Sequence, residues 1–219
     1  MFRAAPGLSE QVADHLEKMI ITEELKPKER IPEVRISELL KVSRGTVREA
    51  LLILERRHLI VLIPRRGALV AELTPADING LYDMLVCLYS LLLEGLAQKW
   101  THEDELDSFE KLLQQMKTKA LKEETLAVFQ LTFQLIELAC RLLNNLFLTE
   151  SLHNLKPVFS RVFYRGLASQ KNELQKILEL IEQILEKLRK REIFGLKKLI
   201  QVYGEYQRKL AISFHSLQS

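Results

Sequence analysis

Val42-Ser43-Arg44-Gly45-Thr46-Val47-Arg48-Glu49-Ala50-Leu51 is the stretch on which the reading of this chain turns. Ser43 supplies the hydroxyl of a helix N-cap. Val47, Ala50, Leu51 and Leu54 then recur at the spacing of one helical face, in a helix predicted over 44–57. Arg44, Thr46 and Arg48 fall opposite that stripe, near the helix start. Just upstream, Ile36, Leu39 and Leu40 mark a helix over about 33–40, so only Lys41-Val42-Ser43 separates the two. Two short helices across so tight a turn form a helix-turn-helix. An earlier helix starts after Ser9, read as its N-cap, and carries Val12, Leu16, Met19 and Ile20 inward. It ends by Lys26-Pro27-Lys28, because proline disfavours the helical region for its predecessor.

Beyond Arg57 the period changes. Leu59-Ile60-Val61-Leu62-Ile63 is apolar and β-branched, Pro64-Arg65-Arg66-Gly67 is a turn, and Ala68-Leu69-Val70-Ala71 returns. That is a hairpin, and a hairpin after a helix-turn-helix is a wing. Thr74-Pro75-Ala76-Asp77 then starts a helix, with a Thr cap, Pro at the first position and an acid at the third. From there only helices are predicted, over 75–99, 102–121, 124–146, 150–167, 170–191 and 193–216. Thr101, Thr149 and Ser169 are read as caps, and Pro157 is expected to kink or split its helix. The expected fold is mainly α: a winged helix-turn-helix over 1–72 and an all-α helical bundle over 75–219.

The 219 residues leave ample length for a core, and 47% hydrophobic with 28% charged residues argues against a disordered chain. Cys87 and Cys140 lie far apart in apolar stretches, read as reduced core thiols rather than a disulfide scaffold. No apolar run reaches the roughly 18 residues of a membrane helix; the richest, 81–96, is interrupted by Asp83 and Glu94. With no apolar leader at the N-terminus, a cytoplasmic protein without a membrane partner is expected. Net charge is only +3, but Arg35 to Arg66 holds eight basic and three acidic residues, against 19 and 18 over 73–219. A local basic footprint on a nearly neutral chain points to one polyanion-binding face.

The residue chemistry names the polyanion. The first residues of a recognition helix reach base edges in the major groove of duplex DNA. Arginine pairs with guanine O6 and N7 through two donors, and hydroxyls such as those of Ser43 and Thr46 bond phosphates or bases. Arg66 and Gly67 sit at the wing tip, where glycine lets the backbone approach a groove. A solvated charge run is the competing reading of these arginines; the helix-turn-helix spacing and the basic wing favour DNA.

The block 42–51, the block Arg65-Arg66-Gly67-Ala68-Leu69-Val70 and Leu8-Ser9-Glu10-Gln11-Val12-Ala13 upstream resemble, in sequence and in spacing, the winged helix of the GntR family of bacterial transcription regulators. The helical remainder resembles the FadR-type (FCD-like) ligand-sensing domain. The resemblance implies operator contacts by Ser43, Arg44, Thr46, Arg48 and Gly67. The family's usual arginine in the second helix falls at Val34; Arg35, the adjacent basic residue, is taken as its candidate replacement. Lys28 stands where a glycine is usual.

In many such sensor domains one Asp and three His hold a divalent metal. The resemblance puts these positions at Gln130, Gln134, Ile181 and Tyr203, with a usual arginine at Leu85 and its acid near Tyr89. An amide is a poor ligand for a transition metal and isoleucine is none. The five histidines, His15, His58, His102, His153 and His215, resemble no metal motif. No metal or other cofactor is therefore expected. Gln130, Gln134, Glu137 and Arg141 form a polar stripe on one helix. It lines a cavity or it faces solvent; the cavity is slightly favoured for Gln130 and Gln134, and a surface ion pair is expected for Glu137 with Arg141. A candidate pocket of Gln130, Gln134 and Tyr203 suits a largely apolar small molecule better than a small carboxylate.

The function expected is a DNA-binding transcription regulator, a repressor rather than an activator. It acts as a homodimer on a near-palindromic operator, with a small-molecule effector as its release signal. The alternative keeps DNA binding and reduces the helical domain to a dimerisation scaffold. An enzyme is disfavoured, since no Ser/His/Asp set, Gly-rich phosphate loop or paired carboxylates in an apolar face appear. A protein-interaction module that never meets DNA is the remaining reading, and salt-dependent duplex binding separates it.

Overall fold

A computed structural model describes residues 7–64, 67–99, 104–169 and 171–216. The chain forms two compact units, one of Met1–Leu73 with Asn154–Val162 and one of Thr74–His153 with Phe163–Ser219. The first holds α1 (Leu8–Ile21), β1 (Arg30–Ile31), α2 (Glu33–Leu40), α3 (Arg44–Arg56), β2 (Ile60–Ile63) and β3 (Gly67–Val70). The strands form one antiparallel sheet in the order β1-β3-β2, with Ile63 opposite Gly67 and Arg30 opposite Leu69. The helix-turn-helix and the wing are both present. The third strand, β1, is too short to show an alternation in sequence.

The core of this unit is one apolar cluster. Val12, Leu16 and Ile20 of α1 meet Val47, Ala50, Leu51 and Leu54 of α3, with Ile31, Ala68 and Val70 from the sheet. The stripe read on α3 is thus its buried face. Burying Val47, Leu51 and Leu54 contributes about 2 kcal/mol each.

Local details depart from the sequence reading. Helix α1 begins at Leu8 with Gly7 as its N-cap, so Ser9 lies inside it. The Gly7 amide donates to Glu10 Oε2 at 2.9 Å, which satisfies the helix start without a hydroxyl. Lys28 adopts a left-handed φ of 65°, the conformation that favours glycine; this is the physical reason a glycine suits the position. Arg57 lies just past α3 and is bound to Asp14 at 2.7 Å and Glu17 at 2.8 Å on α1. One of the eight basic residues counted for DNA is therefore a strut of the fold.

The second unit is built from α4 (Pro75–Lys99), α5 (Asp104–Leu121), α6 (Thr125–Leu143), α7 (Leu146–Ser169), α8 (Lys171–Arg189) and α9 (Ile193–Ser216), the middle of α7 grouping with the winged unit. The start of α4 is the reciprocal cap expected. The Thr74 amide and hydroxyl donate to Asp77 Oδ2 at 2.9 and 2.7 Å, and the Asp77 amide returns to Thr74 Oγ1 at 3.2 Å. Those bonds from Thr74 hold the Asp77 carboxyl below the usual range.

Helix α7 starts at Leu146 with Thr149 inside it, because Asn145 Oδ1 accepts the Leu148 amide at 3.2 Å and does the capping. Pro157 sits within α7, and the helix continues through it. Ser169 closes α7, its hydroxyl donating to the Gly166 carbonyl at 2.7 Å; Thr101 lies outside the described residues.

Two further corrections concern apolar surface. Cys140 is buried but Cys87 is exposed. And α4 and α6 are, by length and composition alone, apolar enough to cross a membrane, with 18-residue windows of mean hydropathy 1.4 and 1.5. Counting uninterrupted runs overlooked them, since a helix tolerates two charges on its rim. Both are core helices of the bundle: α4 buries Leu81, Leu85, Leu88 and Leu92, and α6 sets Phe129 against Phe163 and Tyr164.

Leu54 is fully buried and Leu52 is 49% exposed on the same helix. Leu54→Ala is expected to cost about 2–5 kcal/mol in the winged unit, and Leu52→Ala under about 0.5 kcal/mol. Hydrogen exchange of the α1 and α3 amides reads both; equal losses would contradict the packing described.

Candidate nucleic-acid interface

Helix α3 opens on Ser43, whose backbone is extended (φ −69°, ψ 152°) and whose Oγ accepts the Thr46 amide at 3.1 Å. The Ser43 and Thr46 hydroxyls are 2.9 Å apart. One hydroxyl thus caps the helix while both stay at its N-terminal end, where the helix dipole and free amides favour an anion. Arg44 is exposed one residue on, and Arg35 is exposed on α2. The structure brings Ser43, Arg44, Thr46 and Arg48 together as one polar rim of α3.

Arg48 is held from the neighbouring helix. Its Nε donates to Glu33 Oε2 at 2.7 Å, in a pair where Arg48 remains 68% exposed. Glu33 opens α2, so the ion pair links the two helices of the motif and gives direction to a guanidinium that stays exposed. Sequence reading missed Glu33. The pairing spans fifteen residues and two helices, which no local spacing signals.

The wing ends on Gly67, at φ +84°, a conformation that L side chains rarely adopt. A Cβ there would stand 3.9 Å from the Arg30 guanidinium. Arg30, exposed on β1, is the second residue missed. It reaches the wing only through the β1–β3 pairing, and a two-residue strand carries no readable period. Arg66 lies outside the described residues.

The sensor candidates do not converge. Gln130 and Gln134 are exposed on α6 and border an open groove of about 600 Å³ with Gln114, Gln115, Thr118 and Lys119 of α5. The slight preference for an interior cavity is thereby corrected: α6 turns Val128, Thr132 and Leu135 inward, and the amides lie away from them, on the side where Leu131 floors the groove. Glu137 pairs with His153 at 2.8 Å rather than with Arg141. Tyr203 is on α9, where the Gln207 amide donates to its hydroxyl at 3.1 Å. Burial raises the Tyr203 hydroxyl far above its ordinary range, so it stays neutral. Leu85 and Ile181 are buried.

Sequence reading also missed a buried carboxylate. Glu173, fully buried, accepts from the Tyr206 hydroxyl at 2.5 Å and from Lys176 Nζ at 2.9 Å. An acid in the first turn of a helix is ordinary in sequence, and only the packing of α9 on α8 reveals that this one faces inward.

The profile of the gntR family of bacterial regulatory proteins matches residues 8–70, and that of the FCD domain matches residues 81–203. This chain belongs to the GntR family of transcription regulators. It is similar to the gluconate operon transcriptional repressor of Bacillus licheniformis, 29% identical over 95% of this chain and 86% of that one. It is 33% identical to the uncharacterized HTH-type transcriptional regulator YdhC of Bacillus subtilis, over 48% of this chain and 46% of YdhC, so that match spans under half of the relative. In fold it is similar to E. coli McbR/YncC (TM-score 0.80, 18% identity, 96% and 100% of the two chains). A GntR regulator from Rhodococcus sp. RHA1 follows (TM-score 0.73, 22% identity, 94% and 97%).

The metal that many FCD-type domains hold does not fit the residues here. The four positions are two exposed amides, a buried aliphatic and a neutral phenol, and among the described residues no three His, Cys, Asp or Glu side chains come together. Elemental analysis of the dialysed protein is expected to find no stoichiometric Zn, Ni or Mn. One metal per chain, lost on Gln130→Ala, would show a site of a different make.

Proposed function

We propose that this GntR-family regulator represses transcription as a homodimer on a near-palindromic operator, laying the start of α3 in the major groove. The reading rests on one observation: Ser43, Arg44, Thr46 and Arg48 share the exposed N-terminal rim of a helix whose other face is buried. Arg44 and Arg48 read base edges, Ser43 and Thr46 bond phosphate, and Arg35 adds a contact from α2. Gly67, with the Arg30 guanidinium beside it, meets the DNA backbone beside the neighbouring minor groove, and Arg66 adds a phosphate contact. Two copies are needed because a single winged unit covers one half-site. The protein works in the cytoplasm, where its operator is.

The helical unit carries the dimer contact. A small effector releases the operator in the first reading. In the second, that unit is a scaffold alone, which the separation of Gln130 and Gln134 from Tyr203 favours. Titrating the operator complex with cell extract separates them: release by a dialysable fraction supports the effector, and none at any dose supports the scaffold.

Arg44→Ala and Arg48→Ala are each expected to weaken operator binding about 5- to 150-fold, the equivalent of about 1–3 kcal/mol for a lost bidentate base contact. Binding to random duplex should change far less. Arg66→Ala should weaken both duplexes alike and lower the salt slope by about 1. Anisotropy titrations on the two duplexes at several salt concentrations decide it. Unchanged affinity for both duplexes in the α3 variants would overturn the assignment.

A further inference from the structure

Helix α4 carries more apolar surface than its own chain covers. The apolar window within it is only 44% buried, and a helix hydrophobic nearly all round needs apolar cover on every side. Away from the bundle, Gly80, Met84, Cys87 and Leu91 succeed one another at steps of 4, 3 and 4, the spacing of a seam along which one helix packs on another. Met84 and Leu91 are each 52% exposed, Cys87 is exposed, and nothing lies within 4 Å of where a Cβ on Gly80 would stand. Helix α9 runs antiparallel beside the seam, tied by Lys197 to Glu94 and Arg208 to Asp83, each at 2.6 Å. That register sets Phe194, 82% exposed, level with the C-terminal end of α4.

We propose that a second copy of this chain packs its α4 antiparallel on this seam, about a two-fold axis beside Cys87. The proposal rests on the homodimer reading and assigns its surface. Three features select a second copy. The seam is its own complement: Met84 and Leu91 lie three and four residues either side of Cys87, so the axis sets Met84 of each copy against Leu91 of the other.

The charges agree with the same axis. Asp77 is ionised in the first turn and Lys99 is in the last turn, its ammonium also bonded to the Leu143 carbonyl at 2.7 Å. Antiparallel packing brings opposite signs together, whereas parallel packing would oppose like charges. The area also suffices. Helix α4, at 25 residues, is about 37 Å long. With α9 alongside at about 10 Å, the face measures about 700 Å², close to the roughly 800 Å² each partner buries in a standard interface. Phe194 of one copy then meets the open space at Gly80 of the other.

The axis places the two Cys87 thiols next to each other, so the native full-length chain reports on its own interface. A short bis-maleimide is expected to convert the protein to a covalent dimer on a denaturing gel. Cys87→Ser should abolish the product although Cys140 remains. Leu91→Glu, a change at a half-exposed position, should raise the dimer dissociation constant at least 100-fold in sedimentation with helical circular dichroism unchanged. Leu121→Glu, 87% exposed at the end of α5, should leave it alone. A dimer that survives Leu91→Glu and does not cross-link overturns this face and leaves the operator reading intact. A wild-type chain that stays monomeric at micromolar concentration overturns both this proposal and the homodimer. One that instead floats with phosphatidylcholine vesicles gives the seam to a membrane and overturns it as well.

Discussion

Helix α3 works at the boundary of two media, and the division along its length governs the winged unit. Val47, Ala50, Leu51 and Leu54 are buried against α1 and the sheet, while Arg44, Arg48 and the two hydroxyls stay in water. Rotation of the helix by one residue, about 100°, would bury an arginine and expose a leucine, at a cost of several kcal/mol. The exposed polar face is therefore set by what the opposite face cannot do. The ion pair from Glu33 adds direction to one guanidinium on a helix already fixed by its core, and the Arg57 link to Asp14 and Glu17 pins the far end. Of these bonds the Arg57–Glu17 contact is the most sheltered: burial raises the Glu17 carboxyl against the lowering pull of Arg57.

Most of this was legible in the sequence, because amphipathic spacing and turn chemistry are local. The stripe 47, 50, 51, 54, the tight turn after α2, the wing hairpin and the Thr74–Asp77 cap each need only a window of a few residues. What was not legible depends on partners far along the chain. Strand β1 exists because β3 lies beside it; Arg30 joins the wing through that pairing, and Glu33 meets Arg48 across two helices. Caps made by a backbone amide or an asparagine, as at Gly7 and Asn145, give weaker signals than the hydroxyls at Ser9 and Thr149 that were read in their place.

In the helical unit the limit is different. A polar stripe on a helix predicts that one face is not core, and does not say whether that face meets water or a cavity. For Gln130 and Gln134 the answer came from the other side of α6, where Val128, Thr132 and Leu135 fill the interior. Glu173 is the reverse case: a charged residue that composition assigns to the surface is buried because Tyr206 and Lys176 satisfy it. Cys87 was read as core from its apolar neighbours; on a helix apolar all round, neighbours in sequence do not tell inside from outside.

These placements bound how an effector could act. A ligand shifts an equilibrium only by its difference in affinity for the two states, and a 100-fold loss of operator affinity requires about 2.7 kcal/mol of coupling. Hydrogen bonds to exposed amides such as Gln130 and Gln134 bring about 0.5–1.5 kcal/mol net each, and they persist in either state unless the helices bearing them move. A molecule in the α5–α6 groove therefore regulates only if it changes the spacing of α5 and α6. The interior alternative is more demanding in chemistry and less in motion. Tyr203 and Gln207 already bond one another, and Glu173 already has its donors, so a ligand there must repay each bond it displaces. Apolar contact is what such a site has left to offer, and chain length rather than charge would then set the strength of binding.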